Sequence, residues 1–151
     1  MTRRTLISLA FLLLLIQFMP VNRSNPPVQA DLQAQSEVKT VFKKACYDCH
    51  SNETVWPWYS RIAPASWMIA HHVKEGRGYT NFSTWEALDA DTKRYAANEI
   101  RKEVEKGRMP LKPYTVLHRE AKLTDAEKQL IYAWVEGHGA AVAPEGNDDQ
   151  N

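Results

Sequence analysis

The stretch that decides the fold is Ala45-Cys46-Tyr47-Asp48-Cys49-His50, in which two cysteines stand three positions apart and a histidine directly follows the second. Thiols at this spacing on a helical turn can reach the two vinyl groups on one edge of a porphyrin, and the adjacent histidine then faces the iron. Cys-x-x-Cys-His is the attachment motif of c-type haem. The motif therefore predicts one haem c per chain, attached through Cys46 and Cys49 and ligated by His50.

Paired cysteines have two other common uses, a redox pair and a zinc site. A thioredoxin-like redox pair calls for a preceding strand and a βαβ context, and a structural zinc site calls for four protein ligands. Neither context is found in the sequence around the chain's two cysteines. The sequence therefore favours haem.

The second axial ligand of the iron is predicted to be Met109. Its thioether stands on a loop after a helix, and Pro110 stiffens that loop. A methionine can equally fill a gap in a core. The rival ligands in the same domain are Met68, His71, His72 and His118.

Four segments carry the pattern of amphipathic helices. Apolar residues recur at spacings of three and four, Gly76, Gly78, Gly107 and Gly137 stand at the expected helix ends, and Thr124 with Glu127 forms a capping box. No stretch alternates long enough to predict a sheet. We expect an all-α domain with helices over about 31–45, 65–74, 89–106 and 124–137.

The N-terminus has the pattern of an export signal. Arg3 and Arg4 precede an apolar run that ends near Val21, and its length fits either a signal peptide or a membrane anchor. Bulky residues after the run favour a retained anchor. We expect a signal peptide or anchor over 1–21, a linker over 22–35, a haem-binding domain over 36–139 and a disordered tail over 140–151.

Aromatic residues crowd the segment that follows His50. They expose more apolar area than a small surface loop ordinarily carries, so we expect them to wrap the haem or to form a plain aromatic core. Arg61 is a candidate partner for a haem propionate. The aromatic residues are Trp56, Trp58, Tyr59 and Trp67.

Several of these residues together resemble the pattern of class I cytochromes c. They are Phe42, the Cys-x-x-Cys-His motif, Met109-Pro110, Leu123-Thr124-Asp125-Ala126-Glu127 and Trp134. The resemblance implies a cytochrome c-like helical domain in which the first and last helices cross near the haem. Phe42 and Trp134 would then be in contact.

The sequence is also similar, over roughly residues 31 to 137, to the bacterial haem-binding domain family of short exported proteins. The shared residues are Ala45 to Asn52, Trp56 to Ser60, Ile62-Ala63-Pro64, Gly76-Arg77, Met109-Pro110, Tyr114 and His118. The loop between Met109 and Leu123 is longer than in ordinary cytochromes, which leaves room for His118 to compete for the iron.

The function that these features predict is single-electron transfer at the outer, periplasmic face of a bacterial cytoplasmic membrane, without catalysis. The expected partners are redox proteins, membrane oxidoreductases among them, and the membrane itself. Beyond its first thirty residues the chain has near-balanced charge, which gives no reason to expect nucleic acid. The alternatives are a haem peroxidase or gas sensor with an open distal site, and a non-catalytic haem-binding module.

Overall fold

The computed structural model describes residues 2–139, and the predicted tail over 140–151 lies outside the described residues. This part of the chain is all-helical and contains no strand, as predicted. Its α-helices are α1 (Arg3–Leu15), α2 (Ser36–Ala45), α3 (Tyr47–His50), α4 (Ala65–Tyr79), α5 (Ala90–Glu105), α6 (Lys112–Leu117) and α7 (Asp125–Gly139). Short 3-10 helices cover Ile16–Phe18, Trp58–Arg61, Phe82–Ala87 and Arg119–Ala121.

The ends of α5 and α7 follow local signals in the sequence. Gly107 has a φ of 62° just after α5, a conformation that favours glycine. At the start of α7, the Thr124 N–H donates to Glu127 Oε2 over 2.8 Å and the Glu127 N–H donates to Thr124 Oγ1 over 3.3 Å. The predicted stop and the predicted capping box are both confirmed.

The core lies where α7 packs against α2 and α5. Phe42 and Trp134 meet edge to face with their ring centroids 4.9 Å apart, which confirms the predicted contact. Phe82 lies 4.9 Å from Phe42 on the same centroid measure, and Trp85 is buried beside them. Full burial of each large apolar side chain contributes about 1.5–3 kcal/mol to folding, so this aromatic cluster is a major source of stability.

Helix α2 begins at Ser36, five residues later than the predicted start at 31. The residues before it are extended because they pair with the 3-10 helix over Phe82–Ala87: the Leu32 N–H donates to the Phe82 carbonyl over 2.8 Å, and the Glu86 N–H donates to the Ala30 carbonyl over 2.9 Å. Leu32 is buried in the core. The first half of the predicted linker over 22–35 is bonded to the domain as well, for example from Arg23 to the Ser60 carbonyl and from Asn25 to the Thr54 carbonyl, so the segment is packed on the domain and is not a free linker.

Helix α4 continues past its predicted end and reaches Tyr79. Gly76, taken in the sequence for a helix end, instead lies where α4 crosses the cysteine motif: a Cβ at this position would be 2.5 Å from the Cys49 carbonyl oxygen. The interpretation of Gly76 as a stop was wrong, because its role depends on a distant segment. Helix α6 was not predicted either.

Helix α1 has no buried side chain and is followed by the 3-10 helix over Ile16–Phe18. Among residues 2–139, no helix is long and apolar enough to cross a membrane.

Candidate functional site

The cysteine motif forms one tight turn at the end of α2. The N–H groups of Cys49 and His50 both donate to the Cys46 carbonyl, over 3.1 and 2.9 Å, and the Cys46 N–H donates to the Phe42 carbonyl over 2.8 Å. Both cysteines are unpaired and half-buried. The turn therefore brings two free thiols and an imidazole together at one end of the aromatic core.

The ring of His50 is oriented by the backbone of the segment after α4. Its Nδ1 lies 3.1 Å from the Thr80 carbonyl oxygen, which can only accept, so Nδ1 is the nitrogen that carries the proton. Burial lowers the pKa of His50 and keeps the ring neutral. Nε2 is thus left with a free lone pair, the arrangement in which histidine serves as a metal ligand.

Two adjoining clefts lie against this turn. The larger has a volume of about 420 Å³ and is lined by Cys46, His50, Met109 and residues of α5, most of them apolar but with Glu99 and Glu103 among them. The smaller, of about 200 Å³, adds Cys49 and His72. Ligand pockets commonly measure about 300–1,000 Å³, so the space has the size of a cofactor site. The two thiols, the neutral imidazole and the thioether around one apolar cleft are the donor set that a c-type haem requires.

The thiols themselves are kept protonated. Burial, and to a lesser extent the neighbouring Cys49, raises the pKa of Cys46 to about 12. Burial and the charge of Asp48 raise the pKa of Cys49 to about 11, against the opposing effect of Arg77. The part of the chain that the structure describes contains no strand, so the βαβ context of a thioredoxin-like pair is not found there.

Met109 lies on the turn that follows α5, and Glu103 holds that turn in place. The Glu103 carbonyl accepts the N–H groups of both Arg108 and Met109, over 3.0 and 3.2 Å. The Glu103 carboxylate also accepts from Arg108 Nε over 2.6 Å and from the second guanidinium nitrogen. The thioether of the predicted ligand is therefore carried by a fixed turn on the same cleft as His50.

The other candidates for the second axial ligand differ from Met109 in their position relative to the two clefts. His72 lines the smaller cleft together with His50 and Met109 and so stays a competitor. His118 is turned away, with Nε2 2.6 Å from the Tyr59 hydroxyl and Nδ1 3.1 Å from Glu120 Oε1. His71 is exposed and lines neither cleft. Met68 lines neither cleft and lies on a further cavity of about 70 Å³, whose lining also contains Cys49 and His72.

The contact of the aromatic residues after His50 with haem stays a prediction, and most of them lie away from the two clefts. Trp56, Trp58 and Trp67 line neither cleft, and Trp58 is 75% exposed. Tyr59 lines the same small cavity as Met68, together with Cys49 and His72, and Arg61 is exposed and lines neither cleft. This segment turns away from the motif because it packs on the start of α4. The aromatic residues that line the larger cleft are Tyr79, Phe82 and Tyr95.

Sequence reasoning also missed a polar network behind the motif. Asp48 accepts the Tyr114 hydroxyl at Oδ2 over 2.7 Å and the Val55 N–H at Oδ1 over 2.9 Å. Burial and this bond to Asp48 raise the pKa of Tyr114. Arg77 donates to the Ser51 carbonyl over 2.7 Å and to Thr54 Oγ1 over 2.9 Å. The family resemblance contained Arg77 and Tyr114 but gave no role for either.

A small helical domain with two thiols and a histidine on one apolar cleft has the features of a haem protein. The family model of the haem-binding domain matches residues 11–137. The chain belongs to this haem-binding domain family. Among residues 2–139, no group of three or more histidine, cysteine or carboxylate side chains is placed to hold a metal ion by itself.

A curated relative is cytochrome c peroxidase Ccp of Escherichia coli (strain K12), which is 30% identical over 116 residues. The match covers 71% of this chain but 25% of the relative, so the chain spans about a quarter of that protein's length. No solved structure matches the chain.

Proposed function

We propose that this protein is a c-type cytochrome that carries single electrons. Cys46 and Cys49 would hold one haem covalently, and His50 and Met109 would be its axial ligands. The observation that supports this most is that Cys46, His50 and Met109 line one apolar cleft on the cysteine turn. The contact of Phe42 with Trp134 supports a cytochrome c-like arrangement of α2 and α7.

Bound haem supplies a one-electron ferric/ferrous couple, and the chain prepares its surroundings. Thr80 orients the imidazole of His50, and Glu103 with Arg108 fixes the turn that carries Met109. The lining of the larger cleft is mostly apolar, which would limit the contact of a bound haem with water. A site with two protein ligands and little water favours electron transfer over catalysis at the iron.

We further propose that the protein works at the outer face of the cytoplasmic membrane. The apolar segment over 1–21 would direct export, and the partners would be redox proteins such as membrane oxidoreductases. Retention at the membrane would raise the effective concentration of the carrier near these partners.

The experiment is production of the full chain in a bacterial host that attaches c-type haem, followed by denaturing electrophoresis with a haem stain. We expect one covalently bound haem per chain and its complete loss in the Cys46→Ser/Cys49→Ser double variant. Haem that washes out of the wild type on denaturation would overturn covalent attachment.

The second candidate is a haem peroxidase, and it draws on the similarity to the Escherichia coli cytochrome c peroxidase and on His72, which lines the smaller cleft. Peroxide turnover with a reduced electron donor distinguishes the two. A carrier with Met109 as ligand should be nearly inactive and gain activity in Met109→Ala. A peroxidase should be active as the wild type and lose activity in His72→Ala.

A further inference from the structure

One corner of the molecule exposes apolar side chains next to α1. We call it the N-terminal corner and define it as residues 16–19, 58–62 and 68. Phe18 is 84% exposed and Trp58 is 75% exposed. Met19, Ile62 and Met68 are each about half exposed. Exposed apolar patches of this kind mark contact surfaces.

Hydrogen bonds join the two parts of this corner, the segment directly after α1 and the segment before α4. Gln17 Oε1 accepts the Ala63 N–H over 2.9 Å, and Gln17 Nε2 donates to the Ala63 carbonyl over 3.2 Å. Arg23 Nη1 donates to the Ser60 carbonyl over 3.2 Å. The exposed apolar surface of α1 therefore continues onto the domain at Ile62 and Trp58.

The two segments that meet at this corner are basic. Residues 1–30 and 54–74 contain no aspartate or glutamate, although the chain has 18 acidic residues. Arg23 and Arg61 belong to these segments at the corner itself, and the nearby acidic side chain of Glu120 is bonded to His118, which contacts Tyr59. The excess of basic residues at the corner complements anionic lipid headgroups.

The segment that follows α1 is bound to the domain, so it cannot act as a spacer between α1 and the domain. Arg77 donates to the Ser24 carbonyl over 3.0 Å and to Asn25 Oδ1 over 2.8 Å, and Leu32 is buried. If the apolar segment over 1–21 lies in a membrane, the N-terminal corner therefore lies at the surface of that membrane.

We propose that the N-terminal corner is a lipid-binding surface, with Trp58 at the level of the headgroups, where tryptophan is enriched in membrane proteins. The inference rests on the membrane location proposed above. It adds that the domain lies directly on the bilayer in one orientation, with Arg61 toward the anionic headgroups.

The test is lipid photo-cross-linking with the haem-loaded full chain. Single variants carry p-benzoylphenylalanine in place of Phe18, Trp58 or Ala133, in vesicles of phosphatidylethanolamine and phosphatidylglycerol. Ala133 is the control, because it is exposed on α7, lines neither cleft and has the carboxylate of Glu136 three positions on. All three positions are exposed, and an unchanged haem spectrum confirms folding.

We expect lipid adducts at positions 18 and 58 and at least ten-fold fewer at position 133. Adducts at 18 without adducts at 58 would overturn the lipid-binding corner and leave the membrane location standing. Equal yields at 58 and 133 would overturn the lipid-binding corner as well. Absence of adducts at 18, with no flotation of the protein with the vesicles, would overturn the membrane location and the corner together.

Discussion

Two regions surround the clefts at the cysteine motif, and different interactions hold each region together. The crossing half, formed by α2, α5, α7 and residues 82–87, is held by packed apolar side chains such as Phe42 and Trp134. The loop half, formed by residues 46–64, α4 and residues 109–122, is held by side-chain hydrogen bonds from Asp48, Arg77 and Tyr114. The crossing half should therefore respond most to lost volume, and the loop half to lost polar contacts and changed backbone spacing.

The largest effect is expected from Phe42→Ala in the crossing half. Phe42 is fully buried, and truncation of a buried phenylalanine costs about 3–5 kcal/mol of unfolding free energy. Trp58→Ala, which removes a larger but mostly exposed ring from the loop half, should cost under about 1 kcal/mol. Urea unfolding of the haem-loaded protein measures both, and equal losses would contradict the division into two halves.

A smaller loss is expected from Gly76→Ala in the loop half. The new Cβ would stand 2.5 Å from the Cys49 carbonyl oxygen, a backbone atom that can move only with the motif. Overpacking of this kind costs about 1–3 kcal/mol. Gly78→Ala is the matched control in the same helix, because its Cβ meets nothing within 4 Å. It should gain about 0.5–1 kcal/mol, and a gain at Gly76 as well would show that α4 does not need this close approach.

The Tyr114→Phe substitution tests one polar contact in the loop half. It removes the hydroxyl bonded to Asp48, and such a bond to a charged acceptor is worth about 1.5–3 kcal/mol when fully buried. Since Tyr114 is half-buried and Asp48 keeps the Val55 N–H, we expect a loss of about 1 kcal/mol in urea unfolding. Tyr95→Phe, at an exposed tyrosine, should change stability by less than about 0.5 kcal/mol. Equal changes in stability for the two variants would show that the Tyr114 hydroxyl does not stabilise the loop half.

The smallest effect concerns the ion pair between Lys44 of α2 and Glu127 of α7. The hydrogen bond from Lys44 holds the pKa of Glu127 below its usual value. A lowered pKa stabilises the fold above the unfolded pKa, about 4.3, and this contribution is lost as the pH falls through the folded pKa.

Lys44→Gln should therefore cost at most about 1 kcal/mol at neutral pH, and its difference from the wild type should shrink in acid. Lys43→Gln is the control, since Lys43 lies 3.8 Å from Glu53 and both are more exposed. Urea unfolding at neutral and acid pH checks this, and a difference independent of pH would exclude a role for Glu127.

The two halves also differ in how far their structure could be predicted from the sequence. In the crossing half, periodicity, the capping box and Gly107 predicted the helices, because these signals are local. In the loop half, the bonds of Arg77 link residues 23 to 53 positions apart, which no local pattern encodes. The positions of Trp56 and Trp58, which line neither cleft, could not be predicted for the same reason. Residue type predicts that an aromatic ring makes contacts but not which surface it contacts.

The candidate site likewise has some features that the sequence predicts and others that it does not. The spacing of Cys46, Cys49 and His50 placed them on one turn, and Met109 lies on the same cleft. The contact of Thr80 with His50 joins segments 30 positions apart and depends on tertiary packing, whereas the bonds of Glu103 to Arg108 and Met109 are local. The residues that share the cleft were therefore predictable, and the contact that orients His50 was not.

The most direct test of His50 and Met109 as the axial ligands is the absorption spectrum of the haem-loaded protein, ferric and ferrous, with and without carbon monoxide. The variants are Met109→Ala and the control Met68→Ala, whose methionine lines neither of the two clefts. The wild type and Met68→Ala should show the weak charge-transfer band of a ferric iron with methionine ligation and resist carbon monoxide, and Met109→Ala should lose both properties. A wild type that binds carbon monoxide readily, with a spectrum unchanged in Met109→Ala, would contradict methionine ligation and with it the proposed electron carrier.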